Sequence, residues 1–201
     1  MTVGNPKTHR SSCLEHLVTH QVEGHCDSQK EAPMADKTLD DLFLDTLKDI
    51  YFAERQVLRL LPKMARAAQA PELKAAFEKH QEETQGHIER LQRVFEILDK
   101  PVRGKTCEAI QGIIAEGDEI MDEFKGSPAL DAGLISSAQA VEHYEITRYA
   151  TLKTWATQLG ITDAVALLDA TLREESATDE ALTKLATASV NVKSAVEKRL
   201  A

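Results

Sequence analysis

The sequence predicts an all-α protein, an antiparallel four-helix bundle made of two helical hairpins with a short crossover helix between them. Three observations carry that expectation. The 201 residues include only nine Gly and six Pro and are rich in Ala, Leu, Glu, Lys and Asp, with no sustained apolar–polar alternation of strand type. Four long segments each carry apolar residues at three- and four-residue steps, the signature of one buried helical stripe. In every one of the four, acidic residues interrupt the stripe near its middle.

The elements follow in order. Thr38 is a natural N-cap with Asp41 in the first turn, and it opens a helix to about Ala68 with a bend expected at Pro62. Its seam reads Phe43, Leu47, Ile50, Glu54, Val57, Leu61. Pro71 suits a first helical position and starts a second helix, to about Leu98, with Ala76, Leu91, Val94 and Leu98 on a stripe that passes through His80, Glu83 and His87. The short link makes these two an antiparallel pair. Asp99 to Lys105 reads as a loop, and Cys107 to Phe124 as the crossover helix. Ser127 and Pro128 form an N-cap and N1 pair opening the third long helix to about Thr157, with the seam Leu134, Ala138, Glu142, Glu145, Tyr149, Leu152, Ala156. Gly160 ends the connection and Thr162 caps the last helix, from Asp163 to about Ala188, whose seam is Val165, Leu168, Leu172, Glu175, Asp179, Leu182, Ala186. The domain therefore spans residues 36–190, with 191–201 as a C-terminal tail.

Residues 1–35 differ in kind. They are polar, lack a helical stripe, and hold four of the seven His and two of the three Cys. We read them as a disordered or non-native extension, with Met34 placed as a natural translation start. His16, His20, His25 and Cys26 match no standard zinc spacing.

A buried carboxylate without a partner costs on the order of several kcal/mol, so four acidic layers meeting at one level of a core require compensation. Metal ions supply it. On a helix, residues three or four apart share a face, which pairs Glu83 with His87, Glu142 with Glu145 and Glu175 with Asp179, and Glu54 completes the set. Five or six carboxylates with one or two imidazoles suit two divalent ions, and oxygen donors with some imidazole suit iron or manganese. Glu83 and His87 lie 92 positions before Glu175 and Asp179, an internal echo that places two half-sites around one axis. Glu174 replaces Glu175 if the last helix is rotated, and Asp179 is short enough to serve only as support for a ligand. His80 is read as a ligand, a supporting group or a cap, and His143 as a surface or interface residue.

Tyr51-Phe-Ala-Glu-Arg-Gln56, His80-Gln-Glu-Glu-Thr-Gln-Gly-His87, Lys105-Thr-Cys-Glu-Ala-Ile110 and Glu142-His-Tyr-Glu-Ile146 occur in one order. Over roughly Thr38 to Ala188 the chain resembles the YciE/YciF-type ferritin-like family of bacterial stress-associated proteins. That resemblance implies a ferritin-like bundle close to rubrerythrin's, a homodimer, and a biochemical role not yet assigned. One departure stands out: ferritin-like carboxylate proteins carry Glu-x-x-His on two helices, whereas here the last helix offers no His.

A net charge of −9 without a basic stripe argues against nucleic acid as partner, and no apolar run is long enough to span a membrane. Cys13, Cys26 and Cys107 are odd in number and scattered, which points to a reducing cytoplasm. The functional expectation is a di-iron or di-manganese carboxylate protein that oxidises Fe(II) or reduces peroxide, with oxygen or peroxide as co-substrate. A non-catalytic dimeric bundle with a structural or interaction role in stress is the alternative, and an iron-storage cage a third.

Overall fold

The computed structural model describes residues 36–190; the expectations for residues 1–35 and 191–201 lie outside these. Five α-helices account for nearly all of it: α1 (Leu39–Ala67), α2 (Pro71–Ile97), α3 (Glu108–Glu123), α4 (Leu130–Gln158) and α5 (Thr162–Leu185), followed by a short π-helical stretch, Ala186–Val190. In the bundle α1 packs on α2 and α4, and α5 packs on α2 and α4, so the four long helices close a ring around one core. The crossover helix α3 lies outside against α4 and α1. Its approach to α4 depends on Gly133, where an added Cβ would come within 2.6 Å of Ile120 Cγ2.

The local chemistry explains where the helices begin. Thr38 caps α1 with a complete capping box: Asp41 N donates to Thr38 Oγ1 at 3.2 Å and Thr38 N donates to Asp41 Oδ2 at 2.9 Å. α1 continues through Pro62 to Ala67. Pro71 is the first residue of α2, and Gly160 adopts φ +73° after α4, the conformation that glycine permits at a helix end.

Two starts differ from expectation. α4 begins at Leu130, not at the Ser127–Pro128 pair, because Ser127 is engaged in the preceding turn: its Oγ accepts from Ala129 N at 3.1 Å and its N–H donates to Phe124 O at 2.8 Å. α5 takes Thr162 as its first residue, with Ile161 at the cap and no side-chain capping bond. The fifth helix also ends three residues before Ala188, where the backbone widens into π geometry.

The α1–α2 turn is pinned from across the bundle. Buried Asp131, at the start of α4, accepts from Gln69 N and Ala70 N at 2.8 Å each. Replacing it with alanine leaves two backbone donors unpaired, and the expected cost is about 2 kcal/mol in urea denaturation.

The core is apolar above and below one polar layer. Leu47, Ile50 and Val57 on α1, Leu91 and Val94 on α2, Leu134 and Leu152 on α4, and Leu168 and Leu182 on α5 are all buried. Among the described residues no helix is long and apolar enough to cross a membrane.

Candidate metal centre

Six acidic or histidine side chains fill the polar layer. Glu54 comes from α1, His80 and His87 from α2, Glu142 and Glu145 from α4, and Glu175 from α5, and each is between 0 and 3% exposed. Their donor atoms fall into two groups, His80 with Glu142, Glu145 and Glu175, and Glu54 with His87 and Glu175, each compact enough to hold a metal ion. Glu175 belongs to both. Its two oxygens face opposite ways: Oε1 lies 3.0 Å from His87 Nδ1 and Oε2 lies 3.8 Å from His80 Nε2. His80 Nε2 is also 3.1 Å from Glu142 Oε1, and His87 Nδ1 is 3.4 Å from Glu54 Oε1. The two imidazole centroids are 6.1 Å apart, with Glu175 reaching toward both.

Register on α2 decides which residues enter. Leu73, His80, His87 and Val94 recur every seven residues and are all buried, and so do Phe77, Thr84 and Leu91. Thr84 therefore takes the inward place expected for Glu83. Its hydroxyl donates to His80 O at 2.8 Å, which satisfies it without drawing on the layer. Glu83 stands one residue to the side, with 24% of its side chain exposed, paired through Oε1 with Lys79; its Oε2 is 3.8 Å from His80 Nδ1.

Asp179 is not brought to the layer. It faces the α4 side of α5, where it accepts from Gln139 Nε2 at 2.9 Å and lies 3.4 Å from Nε2 of the exposed His143. The inward line of α5 runs through Ala164, Leu168, Thr171, Glu175 and Leu182, so Val165, Leu172 and Asp179 sit to one side. The 92-residue echo thus relates positions in the chain without relating positions in the site. α5 brings no imidazole to the layer and α2 brings two, His80 and His87. Four carboxylates and two imidazoles result, the donor inventory of ferritin-like carboxylate sites in a different distribution over the helices.

Crowded, buried carboxylates raise one another. Burial pushes Glu145 well above the ordinary carboxylate range, and the charges of Glu54, Glu175 and Glu142 push it further. Burial also raises Glu175, to about 8, against the opposing contact with His87. The imidazoles respond in the other direction: desolvation disfavours their charge, yet contact with Glu175 and Glu54 lifts His87 to about 10, and Glu142 and Glu83 lift His80 well above its usual value. Glu83, by contrast, is held down to about 2, chiefly by His80.

Whether a cation fits can be judged from the polar atoms left over. Glu54 Oε2, His80 Nε2, His87 Nδ1, Glu142 Oε2 and both oxygens of Glu145 and of Glu175 are buried and have no hydrogen-bond partner among the described residues. Native interiors rarely leave such groups unsatisfied, and here they converge. Tyr149 donates to Glu54 Oε1, which leaves Oε2 as the free donor of that carboxylate. The residues of the layer could hold a metal ion.

Fold and site together define a ferritin-like helical bundle whose core residues could hold metal ions. The chain belongs to the family described as Domain of unknown function (DUF892), which matches residues 38–195. It is 46% identical over 158 residues to Protein YciF of Escherichia coli (strain K12), across 78% of this chain and 95% of that protein. The crystal structure of the E. coli stress protein YciF superposes with a TM-score of 0.74 at 45% identity, covering 78% of this chain and 99% of that one. YcfI from Rhodopseudomonas palustris superposes with a TM-score of 0.72 at 44% identity, covering 76% and 97%. A protein from Xanthomonas campestris pv. campestris, 24% identical with a TM-score of 0.61 over 82% of this chain and all of that one, shares the fold.

Proposed function

We propose that the core layer holds two divalent metal ions, iron or manganese, and that the protein oxidises Fe(II) or reduces peroxide there. The observation that carries this reading is the convergence of buried, unpartnered oxygen and nitrogen atoms from four helices. Four carboxylates against two divalent charges give a neutral layer, so each ionised group gains the partner that burial demands. His80, Glu142, Glu145 and Glu175 would hold one ion, and Glu54, His87 and Glu175 the other, with Glu175 shared between them.

When bound, such a pair of ions supplies the electrons that reduce oxygen or peroxide. The chain's own residues do the rest. Tyr149 holds its proton at Glu54 Oε1 and thereby orients that carboxylate. Ile50 and Val57, one turn either side of Glu54, and Leu168 and Leu182, two turns either side of Glu175, keep bulk water out of the layer. Donors on four packed helices are held by the core itself, which keeps their geometry fixed.

Aerobic addition of Fe(II) to the chelated protein should produce a ferric absorption change, and Glu54→Ala or Glu175→Ala should slow it by at least about tenfold. Unchanged kinetics in both variants would contradict the proposal. A second reading rests on the closure of the layer: donors 0–3% exposed suit a cation that stabilises the bundle without turnover. It predicts two bound ions and no absorption change on exposure to air.

A further inference from the structure

We propose that Glu174, held by Arg90, is a positioning residue that orients the His87 ring and fixes Nδ1 as its metal-facing atom. The cation position formed by Glu54, His87 and Glu175 then depends on the Arg90–Glu174 pair, and the His80 position does not. The inference rests on the metal-centre reading above and assigns a job to two residues outside the layer.

Neighbouring residues of α5 lie at opposite nitrogens of one ring, and Glu174 makes the hydrogen bond. Glu174 Oε2 is 3.0 Å from His87 Nε2, and Glu175 Oε1 is 3.0 Å from His87 Nδ1. Arg90, three residues after His87 on α2, fixes Glu174 with a two-pronged contact, Nη1 to Oε2 and Nη2 to Oε1, both 2.8 Å. The same Nη1 donates to Thr171 Oγ1 at 3.0 Å, one turn before Glu174. A planar guanidinium on a carboxylate fixes its plane as well as its place.

An ionised carboxylate can only accept hydrogen bonds, so Nε2 of His87 carries the hydrogen and donates it to Glu174. The guanidinium of Arg90 meets both oxygens of Glu174, a pairing that leaves neither oxygen the place for a proton to donate. Nδ1, facing Glu175 and Glu54, is left as the atom that meets a cation. Carboxylate support of this kind orients a ligating imidazole and raises its basicity.

Among the described residues His80 has no such clamp. Its Nδ1 is 3.4 Å from Thr178 Oγ1 and 3.8 Å from Glu83 Oε2, and Glu83 is itself drawn outward to Lys79. The two metal positions should therefore respond differently to changes at the edge of α5. Glu174 and Arg90 are about one-third and one-quarter exposed, so altering them leaves the sealed layer intact.

The test uses the full chain with Zn²⁺, a redox-inert probe, followed by calorimetric titration and by ¹⁵N NMR of the histidine rings. Wild type should bind two ions and show a slowly exchanging His87 Nε2–H. Glu174→Leu should weaken one ion by about 10–100-fold, leave the other unchanged, and release that N–H to rapid exchange while His80 signals stay put. Glu174→Gln, which retains an acceptor, should recover most of the affinity. Two ions bound by Glu174→Leu at wild-type affinity with unchanged His87 signals would overturn the inference. So would loss of both ions without rescue by Gln, which would make Glu174 a ligand or a fold determinant. Failure of the wild type to take up zinc would instead refute the metal-centre reading.

Discussion

Loading the chelated protein with Mn(II) or Zn(II) should raise its melting temperature by about 10–20 °C. Each ion bound at about 100 times its dissociation constant stabilises the folded state by about 2.7 kcal/mol, so two ions give about 5 kcal/mol, and a domain of this size gains about 2–4 °C per kcal/mol. The large effect follows from the layer's own electrostatics. Glu145 keeps both oxygens buried without a hydrogen-bond partner, and Glu175 does the same between two imidazoles. Repulsion and desolvation that the chain alone leaves unbalanced are relieved together when cations enter. A melting curve with and without chelator measures this, and coincident curves would contradict it.

The second large effect runs the other way. Glu145→Leu should stabilise the chelated protein by about 1–4 kcal/mol while abolishing much of the stabilisation by metal. Glu145 is fully buried among Glu54, Glu142 and Glu175, and an apolar side chain of similar volume removes a desolvated acid from that cluster. The pH dependence gives the sign independently. A carboxyl raised in the folded state, such as Glu145 or Glu175, binds a proton that the unfolded chain releases above about pH 4.5, so its contribution favours folding at low pH and fades as pH rises toward the folded value. Raised imidazoles act in the same sense: the stabilisation from charged His87 is complete below its ordinary pKa of 6.5 and is lost as pH rises through about 10. Stability of the chelated protein should therefore fall between about pH 5 and pH 9, and Glu145→Leu should flatten that slope. Urea denaturation at a series of pH values decides it; a stability that rises over this range would contradict the account.

Most of the bundle was legible because periodicity and helix-end chemistry agreed. Four apolar seams, the Thr38–Asp41 box, Pro71 at N1 and Gly160 after α4 all pointed the same way, and the observed elements follow them. Glu54, His87, Glu142, Glu145 and Glu175 were readable as inward acids and imidazole because apolar residues one or two turns away fixed their face.

Glu83 and His80 were less legible for a definite reason. Between His80 and His87 a helical stripe can pass through either Glu83 or Thr84, a difference of one residue, about 100° of rotation. Phe77 and Leu91, each seven residues from Thr84, hold the deciding signal, and Leu73 and Val94 bracket His80 and His87 in the same way. Chemistry favoured the carboxylate; packing placed the threonine inside. Asp179 failed similarly: Leu168 and Leu182 bracket Glu175 at seven-residue spacing, and that register sends Asp179 toward Gln139. Glu174 was visible only as a substitute for Glu175, because its role depends on Arg90 of another helix, a contact between residues 84 positions apart.

Anomalous diffraction at the iron edge, from crystals of the full chain grown with Fe(II), tests the central claim most directly. The account predicts two peaks in each molecule, one on either side of the Glu175 carboxylate, the first beside His80 and the second beside His87. Iron-supplied crystals with no peak between α1, α2, α4 and α5, and with the six side chains meeting one another directly, would contradict it.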